Sequence, residues 1–328
     1  MNIIAYAVRP DEIDAINKYA TLLNLHVEVV SEPLSATTVD NAKGFDGVIF
    51  LGLCDVNRSV LSSLNQMGIK YIASRSAGYN NVDMKAADEF GIKVSNATYS
   101  PHCVADFAVM MILMSIRKLK PMMKRNDAHD YALEGLQGKE MKNLTIGVLG
   151  TGRIGAQTAH NLSGFGCKIL GYDIFPNNDL YSILTYVDLE TFMRECDVIT
   201  IHAPLLHSTK HIINRDSLSL TKPGVVIVNC ARAELIDTDA LIEFIESGHI
   251  GAAALDVFPD EVGIIHKDNR MNLVNNHRLS ILNSHHNVLI TPHAAFYTDQ
   301  AVSDMVEVSL RSIKSFLETG TSHWEVRP

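Results

Sequence analysis

Three charged residues stand just beyond three different apolar runs in the second half of the chain. Arg232 follows Val225–Asn229, Glu261 lies five residues after the run 252–256, and His293 follows the run 288–291 with Pro292 between. An arginine stays charged and offers a planar fork that matches a carboxylate. A carboxylate beside a histidine favours the charged imidazole, which is then a usable proton donor near neutrality. Reducing a carbonyl by hydride transfer needs this kind of set: a cation to hold and polarise the acceptor, a proton donor for its oxygen, and a partner for the donor. Taken singly, each residue has a duller reading. The chain has 14 histidines, most of which must be surface or core residues. Arg232 could cap the helix that follows it, and Glu261 could be a solvated loop charge.

A hydride donor is suggested by Gly150-Thr151-Gly152-Arg153-Ile154-Gly155. The pattern alone is weak, but here it follows the strand-like run Thr145–Leu149 and opens a helix-like segment. Gly150 suits the tight turn, Gly152 a close approach of backbone to pyrophosphate, and Gly155 close packing of helix on sheet. The helix N-terminus adds free amides and a positive dipole end. Asp173 ends the next strand-like run, 168–173. A carboxylate there accepts ribose hydroxyls and repels a 2′-phosphate, so NAD is expected over NADP. The bland alternative is a helix turn that merely packs tightly.

The elements that must position these groups alternate along the chain. Strand-like runs at 2–8, 27–30, 47–51, 71–74 and 93–96 are separated by helical spacings at 11–23, 58–67 and 84–90. A second winding starts at Leu144 and carries strands at 145–149, 168–173, 197–202, 225–229, 252–256 and 288–291. Such alternation predicts an α/β protein of two doubly wound parallel sheets. In open sheets of this kind, ligands bind at the carboxyl ends of the strands, where Arg232, Glu261 and His293 fall. The segment 106–118 is apolar on more than one helix face; burial deep in one domain and a subunit interface are both open readings. The stretch 259–287 has little periodicity and reads as a functional loop with a short helix in it.

Composition narrows the classes. The 328 residues suit two domains, and 47% hydrophobic with 20% charged residues is ordinary for a globular protein. A net charge of −9 argues against a nucleic-acid surface. Cys54, Cys103, Cys167, Cys196 and Cys230 are scattered, odd in number and without a C-x-x-C pair, so neither a disulfide framework nor a thiolate metal site is expected. His285, His286 and His293 fit no ordinary zinc spacing. The stretch 1–8 reads as a strand and not a leader, and no apolar run reaches the roughly 20 residues of a membrane span. A cytoplasmic location is expected, with no membrane and no nucleic-acid partner.

Eight segments in one order carry a resemblance: SRSAGYNNVD (74–83), ATYSPHCVAD (97–106), GVLGTGRIG (147–155), GYD (171–173), HAPL (202–205), VNCARAELID (228–237), AALDVF (253–258) and TPHAAFYT (291–298). Over nearly its whole length the chain resembles the D-isomer-specific 2-hydroxyacid dehydrogenases. The Tyr99-Ser100-Pro101 turn and the ending at 293–298 point to the D-lactate dehydrogenase branch, which includes the vancomycin-resistance D-lactate dehydrogenases. The resemblance implies NAD-dependent reduction of pyruvate or a related short 2-keto acid. It makes Arg232 the substrate-binding arginine, Glu261 the carboxylate partner and His293 the acid/base. Asp256 is implied to lie near the nicotinamide carboxamide. Cys230, Ala231, His202 and Pro204 join the cofactor contacts, with Arg153 and Ile154 of the glycine turn. Ala77 and Gly78 are implied to hold the substrate carboxylate through backbone amides. Tyr99, Leu51 and Phe296 would line the substrate pocket, Leu51 standing where many D-lactate dehydrogenases carry an aromatic.

The resemblance also implies a discontinuous, flavodoxin-like substrate domain, 1–101 with 299–328. A Rossmann-type NAD domain is implied over 102–298, with a homodimer joined partly through the helix 102–118. Two departures stand out. Ala231 and Ala233 flank the arginine where glycines are usual, and Phe296 replaces a common tyrosine. The alternatives are a 2-hydroxyisocaproate or phenyllactate type of dehydrogenase and, from another class, an NAD-sensing corepressor that shares the fold. A phosphoglycerate dehydrogenase is less expected, because the sequence given leaves no room for a regulatory domain.

Overall fold

The computed structural model describes residues 1–327. They form two compact α/β units. One comprises Met1–Ser100 with the chain from Tyr297 onward; the other comprises Pro101–Phe296.

The first unit holds β1 (Asn2–Ala5), β2 (His26–Val29), β3 (Gly47–Phe50), β4 (Tyr71–Ser74) and β5 (Lys93–Ser95), parallel and in the order 2-1-3-4-5. This is the flavodoxin-like order, whose switch point lies between β1 and β3. All four residues of β3 are buried, as expected for a central strand covered on both faces, whereas the edge strand β2 is mostly exposed. Sequence patterning misses one feature: a two-residue strand, Glu325–Val326, pairs antiparallel with β5. The helix Asp299–Thr319 starts on a Thr298 side-chain cap and stops at Gly320 in the left-handed conformation. Its Val306, Leu310 and Ile313 join Ile3 and Ile49 in this unit's core.

The second unit holds β6 (Thr145–Leu149), β7 (Lys168–Tyr172), β8 (Thr185–Tyr186), β9 (Val198–Ile201), β10 (Val225–Asn229), β11 (Ile250–Leu255) and β12 (Val288–Ile290). They are parallel in the order 8-7-6-9-10-11-12. This is the Rossmann order with one added strand, and it reverses between β6 and β9. The very short β8 carries too little pattern to be read from sequence. The helix His102–Ile116 packs on the helix Arg153–Ser163 and on β10 and β11, which buries most of its faces. Met110 remains 40% exposed, and Leu119, Met123, Tyr131 and Leu133 are also exposed. The expected short helix in the 259–287 loop is His277–Ser284, capped by Asn276. No helix is long and apolar enough to cross a membrane among the described residues.

Candidate active site

The glycine turn sits at the switch point of the second sheet, directly after β6. Gly150 has φ +88, and a Cβ there would lie 2.5 Å from the Ala203 nitrogen. A Cβ on Gly155 would meet the Gly150 carbonyl oxygen at 1.9 Å. Both positions therefore require glycine, one for conformation and contact and one for contact alone. Gly152 differs: nothing lies within 4 Å of its would-be Cβ. Open space beside that backbone, at the start of the helix Arg153–Ser163, fits a pyrophosphate against helix N-terminal amides. Arg153 and Ile154 form the first turn of that helix.

Asp173 follows β7. Its Oδ2 accepts hydrogen bonds from Thr151 N (2.6 Å) and Thr151 Oγ1 (3.1 Å), and its Oδ1 accepts from Phe175 N (2.9 Å). The carboxylate thereby braces the glycine turn. The neighbouring Ile174 and Phe175 are exposed apolar residues that sequence reasoning passed over. His202 and Pro204 follow β9, and the 202–203 backbone is what Gly150 packs on. His202 Nε2 pairs with Thr200 Oγ1 at 3.0 Å. Burial pushes its pKa down to about 4, so the imidazole is neutral at physiological pH.

The remaining groups follow β10, β11 and β12. At the end of β10, the buried Asn229 holds both sides of a turn. Its Oδ1 accepts from Ala231 N (2.9 Å) and its Nδ2 donates to Arg232 O (2.8 Å). Arg232 is half-buried and spends only Nη1, on Ala231 O (2.7 Å). Neither Ala231 nor Ala233 has positive φ, so the two alanines sit without backbone strain. Burial holds Cys230 as a thiol, with Asp256 adding to the upward shift.

Asp256 comes directly after β11, and its carboxylate partners are all protein groups. It is fully buried. Its Oδ1 accepts from Thr291 Oγ1 (2.5 Å) and Ala294 N (2.9 Å), its Oδ2 from Ala295 N (2.8 Å), and its backbone oxygen from His293 N (2.8 Å). This one residue braces the turn on which His293 rides. His293 has φ +54, an uncommon conformation that needs such support. Its Nδ1 lies 2.7 Å from Glu261 Oε1. Glu261 Oε2 in turn accepts from Phe258 N at 3.3 Å. With Nδ1 taken, Nε2 is the ring atom left to face a ligand, and it has no partner among the described residues.

The loop after β11 adds His266, which sequence reasoning did not single out. Its Nε2 lies 3.1 Å from His293 O, and its ring stands edge-on to Phe296 at 6.2 Å. Among the described residues, no group of three or more metal-ligating side chains is arranged to hold an ion.

In the first unit the expected substrate residues also follow strand ends. Leu51 follows β3, Ala77 and Gly78 follow β4, and Tyr99 follows β5. Leu51 is only 6% exposed and packs into the core, while Gly52 and Leu53 beyond it are exposed. A Cβ on Gly52 would lie 3.4 Å from Ser76 Oγ, so the two loops are neighbours. The carbonyl of Ala77 accepts from Asn96 Nδ2 and that of Gly78 from Ser76 Oγ, both at 2.8 Å. The amide N–H groups of Ala77 and Gly78 have no acceptor among the described residues. Two adjacent amides without acceptors, on a loop whose carbonyls are tethered, are donors available to an anion.

Sheet order and glycine turn together define a dinucleotide-binding α/β protein. Comparison with known proteins narrows this. Residues 109–295 match the family model described as D-isomer specific 2-hydroxyacid dehydrogenase, NAD binding domain. An aromatic 2-oxoacid reductase of Clostridium sporogenes is 43% identical over 323 residues, covering 98% of each chain. A D-lactate dehydrogenase of Lactiplantibacillus plantarum is 38% identical over 330 residues, covering 100% of this chain and 99% of that one. The structure of a D-2-hydroxyisocaproate dehydrogenase superposes with a TM-score of 0.91 at 34% identity, covering both chains fully. The chain belongs to the D-isomer-specific 2-hydroxyacid dehydrogenase family, and is an NAD-dependent oxidoreductase acting on the CH–OH group of 2-hydroxy acids.

Proposed function

We propose that this enzyme reduces 2-oxo acids with bulky apolar side chains, phenylpyruvate and 2-oxoisocaproate among them, as well as pyruvate. The observation that carries the reading is the pair of amides at Ala77 and Gly78 without an acceptor among the described residues, on the loop whose Ser76 neighbours Gly52, the residue after Leu51; we take the apolar wall of the pocket to start at Leu51. An anion cradle takes the carboxylate, which every 2-oxo acid has. The wall meets the side chain, in which these acids differ. Leucine followed by glycine leaves more room than an aromatic residue. The relative named as an aromatic 2-oxoacid reductase supports the same choice.

The roles we propose are these. The unit of residues 1–100 with the chain from 297 is proposed to hold the substrate, with Tyr99 as a contact, and the unit 101–296 to hold NAD, with Phe296 as a further proposed substrate contact. Arg232 grips the carboxylate and polarises the carbonyl with the guanidinium nitrogens it does not spend on Ala231. His293 Nε2 delivers a proton to the carbonyl oxygen, and Glu261 holds the ring in the orientation that presents Nε2. NADH, when bound, supplies the hydride. The proton on His293 is replaced from solvent, so one oxo acid, one NADH and one proton give one hydroxy acid and NAD. Asp256 and Asn229 hold the two turns that carry His293 and Arg232.

The test is NADH oxidation with pyruvate, 2-oxoisocaproate and phenylpyruvate. All three are expected to turn over. A methylene in an apolar pocket is worth about 1–3 kcal/mol, so the preference among them should stay modest. Leu51→Tyr should shift the ratio of kcat/KM towards pyruvate. Exclusion of phenylpyruvate by the native enzyme, or an unchanged ratio in Leu51→Tyr, would place the wall elsewhere.

For the cofactor, Asp173 is proposed to reject the 2′-phosphate of NADPH. Asp173→Ala should narrow the NADH to NADPH ratio of kcat/KM. It should also loosen the glycine turn, because the Thr151 bonds are lost. Native use of both cofactors at similar efficiency would remove this role from Asp173.

We also propose a homodimer working in a reducing compartment such as the cytoplasm. The exposed Met110, Leu119, Met123, Tyr131 and Leu133 give it an apolar surface, and the five cysteines are scattered, odd in number and without a C-x-x-C pair. Light scattering on a sizing column should report the mass of two chains, and a monomer would overturn the assignment.

A further inference from the structure

The first unit contains a buried ion pair far from the reacting groups in sequence. Arg75 and Glu12 are 0% and 1% exposed and lie 63 residues apart. Arg75 follows β4. Its backbone N donates to Phe50 O, at the end of β3, at 2.6 Å. Its side chain reaches past β3 to the end of β1, where Nη2 donates to Tyr6 O (2.9 Å) and Ala7 O (3.2 Å). Nε and Nη2 also donate to Glu12 Oε1 (2.9 Å) and Oε2 (3.3 Å). Glu12 Oε2 further accepts from Arg9 N at 2.9 Å. One arginine thus ties together the loops that leave β1, β3 and β4, across the switch point of this sheet.

Stability alone is a poor reason for such a pair. Removing two charges from water costs more than their attraction returns in many proteins, and apolar replacements of similar volume are often as stable or more so. Here the balance is worse than usual, because Arg75 Nη1 is buried with no partner among the described residues. What the pair does supply is direction. It ties the first residue of the turn Arg75-Ser76-Ala77-Gly78 to the end of β1, while the backbone bond from Arg75 N to Phe50 O, which does not need the side chain, holds that residue to the end of β3. The carbonyls of Ala77 and Gly78 are held separately by Asn96 and Ser76. With one end of the turn pinned and its carbonyls tethered, its two free amides have a set direction.

We propose that the Arg75–Glu12 pair is the positioning element of the substrate-carboxylate cradle, setting the aim of the Ala77 and Gly78 amides. Neither Arg75 nor Glu12 touches substrate; both act through the loop. The inference rests on the 2-oxo acid reading of that loop. It predicts an effect on substrate binding without an equal effect on the chemical step or on NADH.

The test replaces both charges at once. Arg75→Met with Glu12→Leu leaves neither charge unpaired and keeps the volume roughly filled, so the protein should fold with a Tm close to native. KM for pyruvate and for phenylpyruvate should both rise at least tenfold. The Kd for NADH, read by nucleotide fluorescence, should not move, and kcat at saturation should change less than threefold. Arg75→Lys is the second variant, in case the double substitution does not fold. It keeps the pair but loses the reach to Tyr6 and Ala7, and should raise KM by a smaller factor with NADH affinity intact. A folded double variant with native KM overturns the proposal, as does native KM in Arg75→Lys. If the native enzyme oxidises NADH with no 2-oxo acid, the reading of the loop falls and the proposal with it. Native turnover combined with unmoved KM in the variants removes only the positioning role.

Discussion

His293→Gln and His293→Asn are expected to lower kcat by at least about 10²-fold, the usual contribution of a positioned general acid. Glutamine keeps a polar side chain of similar reach but has no proton to give at neutral pH. Asparagine answers a different objection. His293 sits at φ +54, and asparagine is among the few residues that tolerate this region. A loss seen in both variants is then a loss of proton transfer and not of backbone geometry. The turn itself should survive, since Asp256 holds it through Thr291, Ala294, Ala295 and the His293 backbone N. NADH binding is therefore expected to stay within a few fold of native. Stopped-flow measurement of NADH oxidation with saturating oxo acid separates the chemical step from product release. Near-native single-turnover rates in either variant would show that another group supplies the proton.

How much of this was legible in the sequence depends on the range of the interaction. Gly150, Gly152 and Gly155 could be read because each glycine's role is local: a positive φ, an open face, a contact with its own turn. Arg232, Glu261 and His293 could be read because the end of an apolar strand is visible in sequence, and parallel sheets gather strand ends on one edge. Asp256 was only half legible. It ends an apolar run, but that its carboxylate serves the 291–295 turn depends on β11 and β12 being neighbours, which no local pattern records. Asn229 left a faint signal as the one polar residue of a buried strand. Arg75 and Glu12 left none: an arginine inside a recognisable motif and a glutamate near a helix start look like surface residues until the fold brings them together across 63 positions. The strand Glu325–Val326 and β8 escaped because two residues cannot display an alternation. The helix His102–Ile116 showed its apolar excess plainly, yet that excess could not say how much of it faces the core; burial against β10, β11 and a neighbouring helix takes most of it, with Met110 left over.

Arg232→Lys is expected to cost about 10²–10³-fold in kcat/KM, the scale of losing one preorganised donor to a developing oxyanion. Charge is retained, so any loss reports geometry. The native guanidinium spends Nη1 on Ala231 O, and that bond fixes the plane of the fork. The turn beneath it is fixed in turn by Asn229, which holds Ala231 N and Arg232 O. A lysine ammonium is a point charge on a flexible stem; it cannot hold Ala231 O and both substrate oxygens in one plane. The 2-oxo carboxylate is common to every substrate. The loss should therefore be of similar size for pyruvate, 2-oxoisocaproate and phenylpyruvate, unlike the Leu51→Tyr effect, which should sort them by side chain. NADH affinity should hold, because the glycine turn and Asp173 are untouched. If Arg232→Lys matched native kinetics, another cation would carry the carboxylate. If the loss fell on one substrate only, Arg232 would be contacting the side chain rather than the reacting carbonyl.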